Sequence, residues 1–167
     1  MKIYKKQLGV GLTEILVALL ILAISVLGFI ALQYRAIEAM TEGENRIQAI
    51  NIARDLAEKI RINRSALAQY TSTISGSVSS LSSPNCYKTL CSSAEKAVFD
   101  ASVIKLSAQA MGMSVNMLAC PEVANHRQCV YVAWNDTSAT IGDGLGDCTT
   151  ASGAYQSSST CLVMEVY

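Results

Sequence analysis

Residues 10–34 are 25 consecutive positions in which Glu14 is the only acidic or basic residue. A helix rises about 1.5 Å per residue, so a run of this length reaches across a bilayer core of about 30 Å. A soluble domain of this size has no interior deep enough to hide such a helix on all sides. The segment therefore requires lipid or other protein around it. Glu14 sharpens the constraint, because a carboxylate at membrane depth costs about 2–4 kcal/mol and usually has a function.

The remaining length suits one small globular domain. Across all 167 residues, 13 Lys and Arg balance 13 Asp and Glu, but Lys2, Lys5 and Lys6 all precede the apolar run. Removal of residues 1–9 takes away those three cations and leaves a net charge of −3, which argues against general nucleic-acid binding. The six cysteines, Cys86, Cys91, Cys120, Cys129, Cys148 and Cys161, all follow the apolar run. An even number beyond a membrane segment predicts disulfides in an oxidising compartment. The lysines before the segment predict a cytoplasmic N-terminus, so both signals place the C-terminal domain outside the cytoplasm.

Residues 1–9 form a short basic leader, open to three readings. A secretory signal would be cleaved after small residues beyond the apolar core, but Phe29-Ile30-Ala31-Leu32-Gln33-Tyr34 offers no such pattern. An uncleaved signal anchor is the second. The third rests on Gly9-Val10-Gly11-Leu12-Thr13-Glu14 and the long apolar run behind it. This stretch resembles the prepilin signature of the type IV pilin family. The resemblance implies cleavage between Gly9 and Val10 by a prepilin peptidase, which then methylates the new Val10 amine. It makes Glu14 the fifth mature residue, the family's glutamate position. Cutting after Gly11 would make Glu14 the third. The wording departs from the commonest pattern in having Val10 for phenylalanine and Gly11-Leu12-Thr13 for Thr-Leu-Ile.

The implied mechanism is physically coherent. A buried amine and a buried carboxylate each require an opposite charge, and Glu14 paired with a neighbouring subunit's N-terminal amine would satisfy both. Such a polar pair also sets the register of one helix against the next. The bland alternative is a solvated Glu14 at headgroup level. Residues 10–83 contain no proline, and Ala31 stands where major pilins usually carry one. Glu14-Ile15-Leu16-Val17-Ala18-Leu19-Leu20-Ile21-Leu22 resembles minor pilins of the PilV kind, with the minor pseudopilin of type II secretion as close rival. A bitopic membrane protein with an extracytoplasmic binding domain is the third possibility.

From Arg35 to Tyr70 the apolar positions Ile37, Met40, Ile47, Ile50, Ala53, Ala57 and Ile60 recur mostly every three or four residues, which predicts an amphipathic continuation of the helix. A single helix over 10–69 is the expectation. Arg54, Lys59, Arg61 and Arg64 suit its C-terminal end. Residues 71–83 read as a Ser/Thr-rich loop ended by Pro84. Ser92 and Glu95 fit a capping box for a helix over about 93–111, with Gly112 as its stop. Ser114–Ala119, Val130–Trp134 and Leu162–Tyr167 read as strands. The expected segments are thus a leader (1–9), a membrane or filament-core helix (10–34), its amphipathic continuation (35–70) and a head (71–167). The fold class is α+β, and the element order is similar to the pilin fold, a long helix packed on a small antiparallel sheet.

Six cysteines allow 15 pairings. Nearest neighbours would give Cys86–Cys91, Cys120–Cys129 and Cys148–Cys161. Metal ligation is not expected, since no C-x-x-C occurs and exported thiols are oxidised. His126 has no evident nucleophile beside it, and the single Gly142–Asp147 run reads as a turn rather than a calcium repeat. No cofactor, small-molecule substrate or catalytic residue is expected. The resemblance implies major and minor pilins and the prepilin peptidase/methyltransferase as partners. It also implies a start in the bacterial inner membrane, as a single pass with the head in the periplasm, then transfer to a type IV pilus filament or its tip.

Overall fold

The computed structural model describes residues 11–121 and 127–166. The chain divides into two units after Gly43. The first is the opening part of helix α1 (Leu12–Ile62), in which every described residue up to Gly43 is exposed. Its hydroxyls bond within the helix. Ser25 Oγ donates to the Ile21 carbonyl at 2.8 Å, and Thr41 Oγ1 lies 2.9 Å from the Glu38 carbonyl. No donor of these side chains is then left bare in an apolar medium.

In the second unit α1 changes character, burying Ala49, Ile52, Ala53, Leu56 and Ile60. The single helix expected to residue 69 is interrupted. α1 ends at Ile62, a 3₁₀ turn covers Arg64–Ala66, and α2 (Leu67–Ser75) follows. Burial explains the break, because the buried positions step from Ile60 to Ala66, then to Tyr70 and Ile74. The single 3₁₀ turn is tighter than an α-turn and resets the helical phase between Ile60 and Ala66. Asn63 fixes the corner, its Nδ2 donating to the Ser93 carbonyl at 2.8 Å.

The Ser/Thr loop expected from residue 71 also starts later. Thr71 Oγ1 bonds back to the Leu67 carbonyl and Ile74 is fully buried, so the apolar anchor carries the helix to Ser75 despite its composition. The Lys105 ammonium donates to the carbonyls of Ile74 and Gly76, placing a cation on the end of α2.

Helix α3 (Ser93–Ala110) begins with the expected capping box. Glu95 N–H points to the Ser92 hydroxyl, and the Glu95 carboxylate accepts the Ser92 N–H at 2.8 Å. It ends in a Schellman turn, with Met113 N–H on the Ala108 carbonyl and Gly112 N–H on that of Gln109. The turn requires φ of +71° at Gly112, a left-handed conformation that glycine adopts without strain.

Strands β1 (Ser114–Ala119), β2 (Gln128–Ala133) and β5 (Cys161–Glu165) form an antiparallel sheet in the order β1-β2-β5. One face, with Val115, Met117, Val130 and Val132, packs on α1, α2 and α3. The other, with Cys129, Tyr131 and Ala133, covers a smaller apolar cluster containing Ala139 and Cys148. Both faces of β2 are therefore covered, which is why Cys129–Ala133 is continuously buried rather than alternating. The second cluster rests on two short strands that sequence patterning did not single out, β3 (Ser138–Ile141) and β4 (Asp147–Thr149).

Candidate functional site

Gly9 and Val10 lie outside the described residues. Gly11 precedes α1 and accepts the Glu14 N–H at 3.0 Å and the Ile15 N–H at 3.4 Å, so Glu14 sits in the first helical turn. A carboxylate there meets the positive end of the helix dipole. Glu14 is exposed, and none of the ion pairs between described residues involves it. Around and beyond it, Ile15, Leu16, Leu19, Leu20, Phe29 and Leu32 are all more than half exposed. The most apolar 18-residue window of α1 reaches a mean hydropathy of 3.1 and buries nothing, long and apolar enough to cross a membrane. This surface offers one carboxylate on an otherwise apolar rod. It can form a directional contact with a cation that arrives with its own apolar surroundings.

The head is held by three cystines. Cys86–Cys91 closes a four-residue loop, Cys120–Cys129 joins the facing ends of β1 and β2, and Cys148–Cys161 ties β4 to β5. Asn85 stiffens the first loop from within. Its side chain accepts the Tyr87 N–H at 3.0 Å, and its carbonyl accepts N–H groups from Lys88 and Thr89. The Tyr87 ring then meets Phe99 edge-on, with centroids 4.9 Å apart.

Where α1, α2 and α3 converge lies a buried polar network that sequence reasoning missed. Asp100, 4% exposed, accepts from Lys96 Nζ at 2.7 Å and from Tyr70 Oη at 3.4 Å. Burial, helped by the Asp100 charge, pushes the Tyr70 phenol up to about 12. The i,i+4 spacing of Lys96 and Asp100 was readable, but not the arrival of Tyr70 from a helix bent by the 3₁₀ turn.

The Gly142–Asp147 run is a loop closed on its own carboxylate. Asp147 Oδ1 accepts from Thr140 Oγ1 at 2.5 Å and Oδ2 from the Gly144 N–H at 2.9 Å. A Cβ on Gly142 would run into that carboxylate, so a side chain there would make Asp147 turn away from its present partners. Among the described residues no group of three or more His, Cys, Asp or Glu is placed to hold a metal ion. His126 lies outside them.

The protein family described as "Tt1218-like: Type IV pilin Tt1218" matches residues 31–102. The matched stretch starts beyond Glu14, so it is independent of the N-terminal motif. Neither the curated proteins nor the solved structures give a significant match. Over residues 31–102 the chain is thus similar to a type IV pilin, and its long apolar helix, small antiparallel sheet and cystine-bonded head agree with the α+β pilin fold.

Proposed function

We propose that this chain is a type IV pilin, a minor subunit of the PilV kind, working in the assembly or priming of a type IV pilus and so in pilus-dependent motility or adhesion. It begins as a single-pass protein of the bacterial inner membrane with its head in the periplasm. Prepilin peptidase removes residues 1–9 and methylates the Val10 amine. The helix then passes from lipid into a filament or its tip, among major and minor pilins. The observation that carries this reading is Glu14, the one charge at the start of a fully exposed apolar helix whose continuation builds the head core. Lipid and neighbouring helices are two environments that such a surface accepts equally, which is what transfer between them requires. The neighbour's N-terminal amine supplies the cation for Glu14. The subunit acts as a building block and performs no catalysis of its own.

Intact mass of the protein recovered from membranes tests the processing step. Loss of residues 1–9 plus one methyl group is expected, and a full-length chain overturns it. Gly9→Val should leave the precursor uncut. Glu14→Ala should be processed normally yet fail to enter sheared filaments, and wild-type incorporation of that variant would remove Glu14 from the mechanism. Deletion should abolish twitching and piliation. Loss of hydrolase export instead would assign the chain to type II secretion.

A further inference from the structure

The three cystines differ in what surrounds their sulfurs. Cys120 and Cys129 are both buried, and Cys148 is fully enclosed beside the half-buried Cys161. All four border the smaller apolar cluster, where a displaced thiolate is poorly solvated and so a poor leaving group. Cys86 and Cys91 stand outside both apolar clusters, and both are half-buried. Between them Tyr87, Lys88, Thr89 and Leu90 are all exposed, so a reactant can approach the bond along its own loop. Cys91 also lines an opening of about 480 Å³ where α1, α2 and α3 converge. It stands one residue before Ser92, the N-cap of α3, and Lys88 adds a cation to the loop. A helix N-terminus and a nearby cation each favour a thiolate.

We propose that Cys86–Cys91 is an exchange site for an external dithiol and acts as a redox switch on the start of α3, while the other two cystines stay structural. One thiolate of the dithiol attacks Cys86 Sγ, the S–S bond breaks, and Cys91 leaves as a thiolate that takes the proton of the second thiol. That second sulfur then attacks the mixed disulfide, and Cys86 leaves and is protonated from water. Two electrons pass to the cystine, and the dithiol ends as a disulfide. The closed bond steadies Ser92, whose carbonyl accepts the Lys96 N–H at 2.9 Å, and keeps Tyr87 edge-on to the buried Phe99. Opening it frees the loop from the first turn of α3 and loosens one wall of the opening. The constraint removed spans five positions, so the head core stays folded. This site lies wholly in the head and does not depend on the membrane or filament role of the N-terminal segment.

The test uses the full-length chain in detergent without denaturant, treated with limiting dithiothreitol, trapped with N-ethylmaleimide and mapped by peptide mass. Cys86 and Cys91 should be labelled about tenfold faster than either other pair. Labelling of all three pairs together, or of another pair first, overturns the proposal. In the selectively reduced protein, hydrogen exchange of the Lys96 amide should quicken about tenfold and slow again on reoxidation, while the amides of β5 keep their rates. An unchanged Lys96 rate overturns the switch, and so does an equal rise across β5, which would mean general loosening. Replacing both Cys86 and Cys91 by serine should give the fast Lys96 rate with no reductant present, and a slow rate in that variant counts against the switch as well.

Discussion

Helix α1 contains two regions with different demands on their surroundings. Up to Gly43 it buries no described residue, although leucine, isoleucine and valine crowd every side. From Ala49 to Ile60 it buries one stripe and leaves charged residues such as Arg54 and Glu58 outside. The backbone is the same α-helix in both, so the difference lies in which neighbours each surface recruits. An all-round apolar surface has no preferred direction and takes lipid or other helices. A stripe has a direction and selects its own head domain.

The comparison is broken most directly by paired truncations. Leu56→Ala should destabilise the head by about 2–5 kcal/mol, since it empties a fully buried site in the main core cluster. Leu20→Ala, in the exposed run, should leave urea unfolding of the head within about 0.5 kcal/mol of the parent. Equal effects would show that the apolar run takes part in the head core. Replacing both Cys148 and Cys161 by serine should lower stability by about 3 kcal/mol, as expected for a separation of 13 residues. The same change at Cys86 and Cys91, separated by 5, should remove about 2 kcal/mol. Denaturant midpoints with matched slopes would measure the order, and its reversal would mean that chain entropy is not the main contribution.

Smaller effects belong to the caps and the buried network. Ser92→Ala should cost about 1 kcal/mol by leaving α3 without its N-cap, measured by thermal unfolding. Ser92 also holds the Glu95 carboxyl below its ordinary value, through its backbone N–H first and its hydroxyl second. A lowered folded-state value stabilises above the unfolded value and is lost as pH falls through the folded one. Glu95→Gln should therefore flatten part of the acid limb. Tyr70 runs the other way. Its value is raised from 10.0 to about 12, so its contribution is complete below about pH 10 and disappears as pH rises toward 12. Tyr70→Phe should remove that alkaline loss, and an unchanged alkaline limb would place its origin in another group.

Local chemistry made much of this molecule legible. The capping box of Ser92 and Glu95, the stop at Gly112 and the run Ser114–Ala119 each express themselves within a few neighbouring residues, and the structure places them accordingly. The interruption after Ile62 was not legible, because it follows from keeping Ala66, Tyr70 and Ile74 on a core built by distant strands. β3 and β4 escaped for a related reason. They are four and three residues long, rich in serine and threonine, and buried only because the far face of β2 lies over them.

What the chain's own residues dictate is the existence of an apolar helix with one acid near its start, an amphipathic continuation and an oxidised head, since each depends on composition and short-range periodicity. Tertiary structure supplied the rest. It bent the continuation at Asn63, sandwiched β2 between two apolar clusters and assembled Tyr70, Lys96 and Asp100 into one network. These features join residues tens of positions apart, and burial at such a distance is set by which surfaces remain uncovered once the local elements have formed.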